Sequence, residues 1–156
     1  MTPPNRGRRL IRFADEDAVI ADVQRLRNGG YSQIGAWSLP QMAWHLNHAT
    51  LARMKPGPHA DDTPEQLARR PLLQHVLAMN GYLPDGIQAP EPLQPPADAP
   101  ESVIDDLIAS LRQLKAYTGE IAPHRIFGRI PDGDARRLNL IHCAHHLSYL
   151  TPTTTP

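Results

Sequence analysis

Cysteine, net charge and long apolar runs are all scarce in this chain of 156 residues. Cys143 is the only cysteine, which excludes an intramolecular disulfide and suits a reducing compartment. Lysine plus arginine and aspartate plus glutamate number 16 each, so there is no global basic field of the kind that drives sequence-independent nucleic-acid binding. No apolar run approaches the ~18 residues of a membrane span, and the N-terminus lacks an apolar signal-peptide core. The expectation is a cytoplasmic protein that contacts neither nucleic acid nor membrane. Absent too are a P-loop, a Gly-x-Gly-x-x-Gly turn, a Ser/His/Asp order with its elbow and a paired-carboxylate motif. At this length one domain over 1–156 is expected, large enough to bury roughly two-thirds of the unfolded surface.

What the chain does have is proline and histidine. The 17 prolines concentrate in an N-terminal arm, between Pro56 and Pro71, between Pro84 and Pro100, and in the tail. They punctuate helices more than they break them. A basic arm over 1–12 is expected to be solvated, to lie over the body of the protein or to pair with another molecule. A helix follows over 13–27, with Asp15 as cap, acids at its start, Arg25 and Arg27 near its end, and Val19, Val23 and Leu26 as its apolar stripe. Gly29 and Gly30 stop it.

After a loop over 31–37, Ser38 reads as an N-cap with Gln41 as its capping-box partner and Pro40 in the first turn, so a second helix runs over 38–54. Thr63 and Gln66 repeat that signature, predicting a short helix and then a further one from Pro71 to Gly81. The segment 83–100 is expected to be extended, tending to polyproline II, and long enough to cover the mouth of the fold. A helix over 101–117 buries Val103, Leu107, Leu111 and Leu114, and a loop over 121–134 leads to the last helix, 138–150. That helix is apolar nearly all round and so deeply buried, and the Thr/Pro tail over 151–156 is expected to be an irregular end.

The last helix carries His142, His145 and His146. Positions four apart lie one turn above each other, so His142 and His146 can aim two imidazoles at one point, a chelating spacing. His145 is displaced by about 60° and 100° from them and is left to cap, to support or to face solvent. A third ligand must come from elsewhere, and His45 on the second helix is the best candidate. His48, three residues on, is a rival that spacing does not separate from it. Trp37 and Trp44 flank His45, although an aromatic near a helix start is more often a core plug. His59 and His75 are assigned to the surface, and Cys143 to buried packing rather than nucleophilic duty.

Trp37-Ser-Leu-Pro-Gln-Met42 followed by His45-Leu, with His142-Cys-Ala-His-His-Leu147 on the terminal helix, resembles the DinB-like superfamily of metal-binding four-helix bundles. Arg70-Pro-Leu-Leu73 and the stretch from Leu83 to Pro90 resemble a branch of it that is a domain of unknown function. The resemblance covers roughly 8–150. It implies an all-α, DinB-like four-helix bundle with a short extra helix and a long proline-rich connection. It also implies the metal ligands His45, His142 and His146. Three neutral imidazoles suit Zn²⁺ or Ni²⁺ better than Mg²⁺ or Ca²⁺. Some relatives in the superfamily are thiol S-transferases or thiol-dependent isomerases, which implies a small-molecule substrate and a low-molecular-weight thiol cofactor. Bundles of this kind often pair, so a homodimer is one expected assembly. The competing expectation is a non-catalytic bundle that uses the arm or the 83–100 segment as a partner surface.

Overall fold

The computed structural model describes residues 7–79 and 89–153. Within them the chain is an all-α bundle with five α-helices, one 3-10 turn and a two-stranded sheet. Helix α1 spans Glu16–Gly29, and Asp15 caps it by accepting the Ala18 N–H at 2.9 Å. Its Val19, Ile20, Val23 and Leu26 are buried at the spacing the sequence predicts. Gly30 then takes φ 81°, a conformation a side chain strongly disfavours, and turns the chain into strand β1, Tyr31–Gln33.

Helix α2, Leu39–Arg53, starts on the complete capping box. Ser38 Oγ accepts from the Gln41 N–H, and Gln41 Oε1 accepts from the Ser38 N–H at 2.9 Å. The Tyr31 hydroxyl accepts the free Leu39 N–H at 2.9 Å, so another orphan donor of the first turn is satisfied by the preceding strand. Helix α2 packs most extensively on α4, Val103–Ala116, whose Ile104, Leu107 and Leu111 are almost fully buried against Leu39, Met42 and Leu46. Each such side chain contributes about 1.5–3 kcal/mol on burial. The last helix, α5, spans Asp132–Leu147 and closes the group against α1 and α2.

Four expectations change. Helix α3 is one continuous element, Pro64–Met79, with Pro71 inside it, instead of a short helix and a further one. Leu67, whose carbonyl loses its intrahelical partner at Pro71, is exposed, as is Pro71 itself, so water can serve that carbonyl without a break. Helix α5 starts six residues before the predicted 138 and stops at Leu147. The tail is not wholly irregular: Leu150–Pro152 forms strand β2, antiparallel to β1 with Gln33 opposite Leu150. Fourth, residues 89–100 hold a 3-10 turn, Glu91–Leu93, in place of a purely extended path; positions 83–88 of that expectation lie outside the described residues.

The arm takes one of its expected courses, over the body of the protein. Arg8 and Arg9 are docked on the bundle while Arg12 is exposed. The Arg9 N–H donates to Ser148 O, and its guanidinium donates to Leu147 O, Leu150 O and both oxygens of Asp22. The end of α5 has carbonyls without helical partners and the negative pole of its dipole, so cations settle there.

Candidate metal centre

His45 sits in the second turn of α2, 3% exposed, on the side that faces α5. Its Nδ1 lies 2.7 Å from the Leu93 carbonyl oxygen. A carbonyl only accepts, so Nδ1 carries the proton and Nε2 is left with a bare lone pair. That lone pair points at His142, whose Nε2 is 3.0 Å away. His146 brings its own Nε2 to 3.0 Å from the same nitrogen of His142. The ligand atoms of the three rings all lie within 4.8 Å of one another.

Such an arrangement has two chemical solutions. Either His142 shares one Nε2 proton between two acceptors, or all three nitrogens turn lone pairs toward a common cation. Burial favours the neutral form of each ring. It pushes the pKa of His45 down, and those of His142 and His146 well below the usual 6.5, with the neighbouring imidazoles adding to the effect. Neutral imidazole is the ligating form.

The surroundings are consistent with a binding site. Trp37 stacks on His146, with ring centres 5.3 Å apart and planes 17° from parallel, and it lies 5.1 Å from the His45 ring. It therefore shields one flank of the cluster and also packs against the main core. A cleft of about 510 Å³ opens beside it, lined by Trp37, Met42, Gln94, His145, His146 and Tyr149 among others. Gly35 borders this cleft, where a Cβ would stand 3.3 Å from the Tyr149 ring.

The other histidines are elsewhere. His48 is exposed, and its ring donates from Nδ1 to the Trp44 carbonyl at 2.8 Å while lying tilted against the Trp44 indole. His145 is buried and turned away from the focus. Its Nδ1 accepts from Arg8 Nη2 at 3.0 Å, and Arg8 also donates to Ser148 Oγ and lies over the Tyr149 ring. His75 is exposed and His59 half-buried. Cys143 is fully buried, and burial pushes its thiol up to about 12, so it stays protonated as packing.

Sequence reasoning missed the Leu93 carbonyl as a partner of His45. The only signal was indirect, in a proline-rich connection too long to be mere linkage. It missed Arg8 as the partner of His145 for a similar reason: a short basic arm has no periodicity to say where it docks.

The donor set is three nitrogens with no carboxylate, and His45 is already oriented by a hydrogen bond on its far nitrogen. Oxygen-seeking ions fit such a set poorly, and borderline transition ions fit it well. The group could hold a metal ion. Among the described residues no helix is long and apolar enough to cross a membrane. The family model described as Protein of unknown function (DUF1569) matches residues 5–153. No curated protein and no solved structure matches the chain.

Proposed function

We propose that this chain, which belongs to the family described as Protein of unknown function (DUF1569), is a metal-binding protein of the DinB-like kind and works as a metal-dependent enzyme. His45, His142 and His146 are the ligands in this reading, and Zn²⁺ or Ni²⁺ is the ion. The observation that carries it is the meeting of three Nε2 atoms from two helices, with the far nitrogen of His45 tied to a backbone carbonyl. A structural histidine needs one such partner; three rings facing each other, one buried and two half-buried, need a reason. The placement of the rings on α2 and on the last helix of an all-α bundle supports the superfamily reading.

A divalent ion with three protein ligands keeps positions for water or a thiol and lowers the pKa of what occupies them. The chain supplies the rest. Leu93 O fixes the tautomer and orientation of His45, Trp37 excludes water from one flank, and the cleft beside His146 admits a small molecule. Transfer to or from a low-molecular-weight thiol is the reaction class we favour.

Metal analysis of the protein purified without an affinity tag tests the reading. We expect close to one equivalent of a transition metal, or tight uptake of added Zn²⁺ or Ni²⁺. A preparation that is metal-free and ignores both ions defeats it.

A further inference from the structure

Arg53 ends helix α2 with its side chain inside the protein, 8% exposed. Among the described residues that side chain has no ion pair and no hydrogen bond, and its Nη1 is a buried donor without a partner. A planar guanidinium carries five N–H donors and a permanent charge, so a bare one in the interior is expensive unless an anion joins it.

Its place in the fold says which anion would matter. His45, Ala49 and Arg53 are spaced four residues apart and form one row along α2. Between the imidazole and the guanidinium this row offers only the methyl group of Ala49. The two Cα atoms are about 12 Å apart along the axis, and a long side chain on a helix leans back toward the N-terminus, here toward His45.

A second donor comes from the loop before α5. The Ala122 N–H donates to Arg53 O at 2.8 Å, which pins this loop to the end of α2. Two residues on, His124 stacks on Phe127 and accepts the Ile126 N–H on Nδ1 at 3.1 Å. Its proton is therefore on Nε2, and that N–H makes no hydrogen bond to any described residue. Gly128, at φ 72° and paired backbone to backbone with His124, holds the turn that presents the ring. On the α2–α5 seam that holds the triad, Asn139 donates to Thr50 Oγ1 at 3.3 Å, so the seam runs on from His45 and His142 toward Arg53, and the charges of Arg53 and His124 both disfavour protonation of His142. Burial pushes the Arg53 guanidinium down, with no acid opposing it.

We propose that Arg53 and His124 form an oxyanion site beside the imidazole triad, taking the carboxylate or phosphate end of a small acidic ligand. Two donors with no acceptor among the described residues define the ligand's charge, and the fork of Arg53 suits either planar or tetrahedral oxyanions. The site does not require the ion. Its role as the anchor of the substrate's acidic end rests on the metal-enzyme reading above.

The test uses the full chain, metal-free and zinc-loaded, in a buffer poor in oxyanions, with acetate and inorganic phosphate as probes and sodium chloride at matched ionic strength as control. For the metal-free wild type, one or both probes should raise the thermal midpoint beyond the chloride control. Arg53→Met should itself raise the midpoint in probe-free buffer by at least ~2 °C, because it removes a bare buried charge. It should also weaken probe affinity on the order of tenfold or more. Arg53→Lys, which keeps the charge without the fork, serves if the Met variant does not fold, and should show the same loss of affinity. His124→Phe keeps the stack on Phe127 and should weaken the probe response as well. A preference for acetate assigns a carboxylate ligand, and one for phosphate a phosphoryl ligand. If Arg53→Met lowers the midpoint, or if the variants answer the probes as the wild type does, the oxyanion site is refuted. Zinc uptake equal in wild type and Arg53→Met keeps this outcome separate from that of the metal reading: probe binding without zinc uptake leaves the oxyanion site standing and removes only its link to the ion.

Discussion

Helix α5 carries three histidines in five residues, and they belong to two regions that work in opposite ways. His142 and His146 face α2, where their partners are other imidazoles with lone pairs to offer. His145 faces the arm, where its partner is the guanidinium of Arg8, a group that can only donate. One side chain type thus becomes a candidate ligand on one side of the helix and a plain acceptor about 60° to 100° away. The lesson is that the neighbouring donor settles the role of a histidine. His45 is oriented by a carbonyl that takes its Nδ1 proton, and His145 by a cation that needs its Nδ1 lone pair.

The largest effect that would break this comparison lies on the triad side. His142→Ala and His146→Ala should each weaken metal binding by more than ~100-fold, since the loss of a direct ligand exceeds the 10–100-fold cost of losing a supporting partner. Calorimetric titration with Zn²⁺ reads it. Tight binding retained in either variant would remove that residue from the ligand set.

Next in size is the acid lability of the metal-free protein. Burial holds His45, His142 and His146 below the ordinary value, and His124 at about 3. In the unfolded chain all four titrate near 6.5. The folded state therefore binds fewer protons as pH drops, so the stability these rings confer is complete above ~6.5 and is lost as pH falls from there toward the folded values. Each contributes a slope of up to ~1.4 kcal/mol per pH unit in that window. Urea midpoints between pH 7 and 5 should fall steeply for the wild type and less steeply for a variant with His142 and His146 both changed to Gln. A flat wild-type profile would mean that the rings are not buried as described.

On the arm side the expected cost is one of folding alone. Asp22 receives Arg9 through two hydrogen bonds at 2.9 and 2.8 Å, and both side chains are largely buried. Asp22→Ala leaves that guanidinium uncompensated apart from its carbonyl contacts, at a cost of about 2–3 kcal/mol. The Arg25 contact with the same carboxylate adds little, since Arg25 is 38% exposed. Chemical denaturation measures the loss, and zinc affinity should not follow it.

How much of this the sequence discloses depends on the range of the interaction. The caps of α1 and α2 are readable because a cap and its partner are three residues apart, and Ser38 with Gln41 or Asp15 with Ala18 needs no tertiary knowledge. The α4 stripe is readable from period alone. The chelating pair on α5 is local in the same sense, one turn apart. By contrast, His45 against Leu93 and Arg8 against His145 join residues 48 and 137 positions apart, one of them through a backbone carbonyl that has no sequence signature. Strands β1 and β2 have three residues each, too few to show an alternation, so their pairing exists only because α1 and α5 bring the two segments together. The Pro71 misreading came from treating a ring in an exposed turn as a break, when an exposed carbonyl can be served by water.

The smallest expected effect is also the sharpest discriminator between the two sides of α5. His145→Ala should leave zinc affinity within about twofold of wild type, a change of ~0.4 kcal/mol, because its ring is held by Arg8 and does not reach the shared focus. It should still cost about 1–3 kcal/mol in stability, since the buried Arg8 loses an acceptor. His48→Ala should change neither quantity appreciably: the ring is exposed, and its hydrogen bond to Trp44 O is local to one turn. The pair therefore separates a fold contribution from a ligand contribution within the same residue type. If His145→Ala or His48→Ala lost metal while His142→Ala or His45→Ala kept it, the convergence of the three Nε2 atoms would not be the binding site, and the face of α5 that holds the ion would be the one turned toward Arg8.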